Sequence, residues 1–149
     1  MKKIAIICGG YSSEFDISIK SANTILAHFP AEYDAFIIEL TRDNWTAIYQ
    51  NQRIEVNPWE MSFQFEGTAI QIDAAIIYIH GDPGENGKLQ AFLEMKNIPC
   101  INSGALASEI SFDKWFCNQF LRGFDVPVAK SILLLHPDEY TAKEIIDSL

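Results

Sequence analysis

The sequence predicts an α/β protein, a parallel sheet with flanking helices. Three observations carry that class. Apolar runs at residues 3–8 (KIAIIC), 35–40 (AFIIEL) and 73–79 (DAAIIYI) read as strands buried on both faces. A segment with helical spacing lies between the first two, so they run parallel through a crossover. The first and third runs end in glycine-rich loops, Gly9-Gly10-Tyr11-Ser12-Ser13-Glu14 and His80-Gly81-Asp82-Pro83-Gly84-Glu85-Asn86-Gly87, as strand-to-helix turns do.

Taken in order, residues 3–8 form the first strand and Gly9-Gly10 its turn. Ala22, Ile25, Leu26 and Phe29 then repeat at i, i+3, i+4, i+7, one face of a helix. Ser12 or Ser13 is its expected N-cap and Pro30 its stop. Residues 35–40 form the second strand. Short runs at 45–49, 53–56, 62–65 and 68–72 predict antiparallel excursions at the sheet edge, with Asn51-Gln52 and Glu66-Gly67 between them. The third buried strand, 73–79, leads to a helix marked by Leu89, Phe92 and Leu93. Residues 98–101 read as a fourth short strand, ending at Asn102-Ser103-Gly104.

Phe112, Trp115, Phe116 and Phe120 then mark a helix whose aromatic face is expected to be core, with Ser111 as N-cap and Gly123 just past its end. Residues 126–135 read as a strand, His136-Pro137-Asp138 as a turn, and Ala142, Ile145, Ile146 and Leu149 as a last helix face. That face has no sequence partners left to complete a second core, so the chain is expected to stop inside a second domain.

Composition narrows the function. With 20 acidic and 11 basic residues the formal charge is −9, which argues against a nucleic-acid surface. Apolar residues make up 48% and charged ones 21%, the balance of a folded globular chain and not of a disordered one. No apolar run reaches the roughly 18 residues a membrane span needs. The apolar start is too short for a signal peptide and lacks a cleavage site. Cys8, Cys100 and Cys117 are widely spaced and odd in number, so buried thiols are expected rather than disulfides or a metal site.

In an open parallel sheet, ligands bind beyond the carboxyl ends of the strands, and that is where the polar residues gather. Glu14, near a helix N-terminus, either supports the dipole or offers a carboxylate to a substrate ammonium. His80 is either structural or a donor to an anion. Lys114 sits in a helix first turn, where a cation is mildly unfavourable unless an anion binds beside it; otherwise it is a solvated lysine. His28 and His136 read as surface residues. Asp82 with Glu85 is only a loose pair of oxygen ligands, and no metal-ligand cluster is expected. Gly9-Gly10 lacks the later glycine of a dinucleotide fingerprint, and no P-loop is present.

Together these residues resemble the D-alanine–D-alanine ligase family along essentially the whole chain. The matching segments are Gly9-Gly10-Tyr11-Ser12-Ser13-Glu14 with Ser18; His80-Gly81 with Gly84-Glu85-Asn86-Gly87-Lys88-Leu89-Gln90; Ile98-Pro99 through Ser103-Gly104; Phe112-Asp113-Lys114; and Val126-Pro127-Val128-Ala129. The resemblance implies a Rossmann-like, pre-ATP-grasp domain over 1–124 and the beginning of an ATP-grasp domain over 125–149. It implies a cytoplasmic enzyme that joins two D-alanines for peptidoglycan, and a possible homodimer. In such enzymes ATP phosphorylates the first D-alanine's carboxylate and the amine of the second attacks the acyl phosphate.

Residue by residue, Glu14 matches the catalytic, substrate-binding glutamate that holds the first D-alanine's ammonium. His80 matches the substrate-binding histidine facing the acyl phosphate, and Lys114 a lysine on the ATP phosphates. ATP and Mg²⁺ are implied, with their sites mostly beyond Leu149, so the chain alone is expected to be inactive. Asn86 stands where the family usually has aspartate, Asn102 where glycine is common, and Phe112 where methionine is usual. Three other readings are kept: a non-catalytic module of this fold that binds an amino acid or a protein partner, a carboxylate–amine ligase of different substrate, and a nicotinamide-binding domain, which the missing glycine and Glu39 disfavour. D-lactate or D-serine as second substrate stays open.

Overall fold

Strand β1 (Lys3–Gly9) carries the fold: six of its seven residues are buried, the mark of a strand covered on both faces. In the computed structural model, which describes residues 1–148, it is followed by helix α1 (Phe15–Ala27) and strands β2 (Asp34–Leu40), β3 (Trp45–Tyr49), β4 (Gln52–Glu55), β5 (Ser62–Phe65), β6 (Thr68–Gln71) and β7 (Ala74–Ile77). Helices α2 (Lys88–Met95), α3 (Ala105–Phe112), α4 (Lys114–Arg122) and α5 (Ala142–Ser148) complete the order, with a 3-10 turn at Pro137–Glu139 before α5. Leu149, the end of the last predicted helix face, lies outside the described residues. By contact the chain divides into two compact units, Met1–Glu109 and the residues from Ile110 onward.

In the first unit the five-stranded sheet has the order β4-β3-β2-β1-β7. β1 pairs parallel with β2 on one side and with β7 on the other. β3 and β4 extend the edge antiparallel, joined by a two-residue turn at Gln50 (φ 46°) and Asn51 (φ 64°). β5 and β6 do not extend that edge as expected; they form a separate two-stranded sheet. The reason is packing: Phe63 of β5 lies 5.3 Å from the rings of both Phe36 and Tyr49. The ribbon thus covers the main sheet with aromatic side chains instead of lengthening it.

Side chains alternate between two cores, as the pleat requires. Ala5, Ile7, Phe36, Ile38 and Leu40 face the β5–β6 ribbon and Leu89 and Leu93 of α2. Ile6, Cys8 and Ile37 face Ala22 of α1. Cys8 is buried as expected, and burial pushes its thiol up to about 12. Cys100 and Cys117 are only half-buried, and all three thiols are free.

The fourth strand shrinks to one bridge, Cys100 opposite Ala75. Pro99 and Ile101 still make ladder bonds with Ala75, at 2.8 and 3.0 Å, but the chain turns away after them. The helix expected around Phe112–Phe120 is two helices broken at Asp113. Its backbone is extended, and its carboxylate accepts the N–H of Trp115 and Phe116, both at 3.0 Å. Asp113, not Ser111, is the cap, and its negative charge suits a helix N-terminus.

The aromatic face is not core. Phe112, Phe116, Phe120 and Phe124 recur every fourth residue and are all exposed, and α4 buries no residue. The described residues from Ile110 onward form short helices and irregular chain, with no sheet for this face to lie on. The same lack leaves 126–135 without a ladder, because a strand needs a neighbour for its backbone groups.

At the amino end of the sheet, Lys3 Nζ bonds Asp34 Oδ2 and Tyr49 OH, and Tyr49 OH donates to Asp34 at 2.8 Å. Burial works against the charge on Asp34, but the bonds from Lys3 and Tyr49 outweigh it and hold its carboxyl below the ordinary value. The bond to Asp34 raises Lys3. Asp34 therefore contributes full stability above about pH 3.9 and loses it as pH falls through its lower folded value. Lys3 contributes fully below about pH 10.4 and loses it above its raised value. Asp34→Asn is expected to lower the unfolding free energy by about 1 kcal/mol near neutral pH. In urea titrations the gap from the parent protein should close towards about pH 2; a gap that persists there would assign the effect to shape rather than charge.

Candidate functional site

The parallel register brings two loops together at one end of the sheet. Gly9 of β1 lies opposite Leu40 of β2, and Ile7 opposite Ile77 of β7. The loop after β1 and the loop after β7 leave from adjacent strands and are bonded to each other. Gly10 N donates to Leu40 O, and Tyr11 N to Asp82 O, both at 2.9 Å. Ser18, fully buried in α1, accepts from Gly9 N at 2.8 Å and donates to Tyr78 O. Ser12 Oγ donates to His80 O at 2.8 Å and accepts from Glu14 N at 3.2 Å.

Such close approach leaves no room for side chains. Gly10 has φ +95°, and a Cβ there would run into Ile79 Cγ2. A Cβ on Gly84 would lie 2.6 Å from Ile79 Cβ.

Glu14 occupies the N-cap position of α1, but its carboxylate makes no capping bond. It is exposed, and among the described residues it enters no ion pair. The expected cap at Ser12 or Ser13 is not formed, because the helix begins at Phe15 and its N-cap position falls on Glu14; Ser12 Oγ accepts from Glu14 N ahead of the helix. His80 is half-buried, with Tyr78 edge-on at 5.6 Å.

The loop from Gly81 to Gly87 is held by its own polar groups. Glu85 Oε2 accepts from Gly81 N at 2.8 Å. Asn86 Nδ2 donates to Asp82 Oδ1 at 2.8 Å, and Lys88 Nζ reaches the same carboxylate at 3.2 Å. The Asn86 amide is the largest cause holding the Asp82 carboxyl below its ordinary range. Buried Gln90 donates to Gly84 O at 2.6 Å. Asp82 and Glu85 are thus occupied, and among the described residues no group of three such side chains could hold a metal ion.

Lys114 belongs to the second unit. It is the first residue of α4, exposed, and its ammonium rests on Ser111 O at 2.9 Å. A cation there meets the unfavourable end of the helix dipole.

Sequence reasoning missed three features. One is the pair of hydrogen bonds made by the Ser12 hydroxyl. The second is Asn102, whose side chain accepts from Ile77 N at 2.8 Å and donates to Ile77 O at 3.0 Å, continuing the ladder that the backbone abandons. The third is a cavity of about 270 Å³ beyond β2, lined by Tyr11, Arg42, Trp45 and Glu55 among others, with the Arg42 guanidinium 4.5 Å above the Tyr11 ring. Side-chain amides that stand in for backbone leave no periodic trace.

Residues 3–103 match the family described as D-ala D-ala ligase N-terminus. The chain belongs to that family. It is 45% identical over its whole length to the D-alanine–D-alanine ligase of Azobacteroides pseudotrichonymphae, of which it spans 47%. The D-alanyl-alanine synthetase A of Vibrio cholerae superposes on 98% of the chain with a TM-score of 0.80 at 28% identity, and the chain covers 43% of it. A Bacillus anthracis D-alanine–D-alanine ligase complexed with ATP covers 99% of the chain with a TM-score of 0.72 at 27% identity, and 45% of that chain is matched. The chain thus spans just under half of these relatives. The resemblance to the D-alanine–D-alanine ligase family, read from five segments together, is borne out, and so is the mostly parallel α/β fold.

In this ligase N-terminus the glycine contacts set a test. Gly67, in the β5–β6 turn, also has positive φ (+76°), but a Cβ there meets nothing within 4 Å. Gly67→Ala should cost about 1 kcal/mol, the backbone strain alone. Gly10→Ala adds a steric clash and should cost at least about 2 kcal/mol more. Equal chemical-denaturation midpoints for the two variants would show that the loops do not pack as closely as described.

Proposed function

We propose that the chain is the N-terminal part of an ATP-dependent D-alanine–D-alanine ligase, and that it supplies part of the site for the first D-alanine. The observation that carries the reading is the free carboxylate of Glu14. A glutamate at a helix N-terminus ordinarily bonds the helix amides or pairs with a cation. Among the described residues this one does neither, and it stands beside the loop that bears His80.

Each residue has a role its setting supports. Glu14 holds the ammonium of the first D-alanine and so orients its carboxylate. His80, on the adjoining strand end, faces the oxygens that gain charge as that carboxylate is activated. Lys114, the exposed cation at the start of α4, contacts ATP phosphates. ATP supplies the phosphoryl group that makes the carboxylate reactive towards the second amine. Mg²⁺ is expected with it, on ligands outside this chain.

The domain reading follows: residues 1–124 precede the ATP-grasp region, which begins in 125–149. The setting proposed is the cytoplasm, and the assembly a homodimer. No helix among the described residues is long and apolar enough to cross a membrane.

In the full-length ligase, Glu14→Gln is expected to raise the KM for D-alanine at least about tenfold, because a charge-assisted bond becomes a neutral one. Lys114→Ala should raise the KM for ATP and leave the unfolding midpoint unchanged. The 149-residue chain alone should release no phosphate from ATP in the presence of D-alanine. Unchanged kinetics for Glu14→Gln would return that residue to a role in helix support, and turnover by the chain alone would overturn the reading of it as a part.

A further inference from the structure

We infer that Ser12 is a positioning residue for the ligase reaction: one hydroxyl sets the placement of Glu14 against His80. The inference rests on the reading of those two residues as the pair that faces D-alanine. Ser12 Oγ donates to the carbonyl of His80 at 2.8 Å and accepts from the N–H of Glu14 at 3.2 Å. A hydroxyl has one donor and two acceptor sites, so both bonds are satisfied at once. Among the described residues no other side chain bonds the backbones of both.

The other bonds between the loops act at one remove. Ser18 joins Gly9 to Tyr78, and Tyr11 N joins Asp82 O. These fix the ends of β1 and β7 and the path of the glycine turn. Glu14 O also accepts from Ser18 N at 3.0 Å, which ties Glu14 to Tyr78 through two bonds, whereas Ser12 Oγ ties Glu14 to His80 itself. The serine reaches its partners because residue 81 is glycine: a Cβ there would stand 3.2 Å from Ser12 Cβ. Ser12 is only half-buried, so on its removal water can satisfy both backbone groups. The fold is retained while the relative placement loosens. A misplacement of about 1 Å in a reacting geometry costs up to about a hundredfold in rate, so the consequence falls on substrate handling rather than on stability.

The test is made in the full-length ligase, with steady-state kinetics against D-alanine and against ATP for Ser12→Ala, Ser12→Thr and Glu14→Gln. Ser12→Ala is expected to lower kcat/KM for D-alanine about tenfold, with the KM for ATP unchanged and the melting temperature within about 3 °C of the parent. Ser12→Thr keeps the hydroxyl and should recover most of the loss. Because Ser12 acts through Glu14, the double variant Ser12→Ala/Glu14→Gln should lose less than the product of the two single losses.

If Glu14→Gln impairs D-alanine handling and Ser12→Ala does not, the inference is overturned and the site reading stands. If Glu14→Gln has no effect, the site reading fails and takes the inference with it. A Ser12→Ala loss that comes with a matching fall in melting temperature, or with failure to fold, makes Ser12 merely structural and overturns the inference. So does a loss that threonine cannot restore.

Discussion

The constraint on which the rest depends is the parallel pairing of β1 between β2 and β7. A strand with parallel neighbours on both sides delivers its following loop to the same end of the sheet as theirs. At the strand spacing of about 4.8 Å those loops collide unless side chains are withdrawn from them. The glycines at 10 and 81 are that withdrawal, since each has an atom of the other loop's segment inside 3.5 Å of where its Cβ would be, while Gly84 packs on Ile79 of its own segment. Once the backbones are this close, their amides and carbonyls can bond across the gap, and Tyr11 N to Asp82 O is the direct case. The sheet register thus sets where the polar loops meet, and the glycines let them meet at bonding distance.

Polar groups at this end of the sheet sort into two classes. Ser12, Ser18, Asp82, Glu85, Asn86 and Gln90 are all bonded to loop backbone or to each other. They hold the loops in place. Glu14 is charged, exposed and outside any ion pair among the described residues. A protein with a formal charge of −9 has many exposed carboxylates, so exposure alone does not mark Glu14. Its position at the N-terminus of α1, without a capping bond, and its tie to His80 through Ser12 do.

Legibility in the sequence followed the range of the interaction. β1, β2 and α1 were readable because a single local pattern, an apolar run or a helical face, coincides with burial. Glu14, His80 and Lys114 could be located because chain order alone puts them at strand ends and a helix start. The failures are places where a distant or missing neighbour decides. β5 and β6 look like edge strands locally, and only the rings of Phe36 and Tyr49 draw them off into a cover. Residues 126–135 have strand composition, but composition cannot supply a partner strand. The Phe112, Trp115, Phe116 and Phe120 face reads as core by the same kind of pattern that was right for α1, yet its three phenylalanines are exposed and Trp115 is only half-buried. Hydroxyl and amide bonds to backbone, such as those of Ser12 and Asn102, have no period to detect.

The two asparagines that depart from the family pattern have one physical account. Asn86 lies beside Asp82, and its amide gives that carboxylate a donor where a second carboxylate would repel it. Asn102 presents a donor and an acceptor together, the same pair a peptide presents, and Ile77 offers the complementary pair. A glycine at that point has no side chain with which to make either bond. Both substitutions therefore add an amide where the local backbone or a neighbouring charge can use one. Neither touches Ser12, Glu14 or His80. They adjust the supports of the β7 loop and leave Glu14 and His80, the pair proposed to face D-alanine, as the family pattern has them.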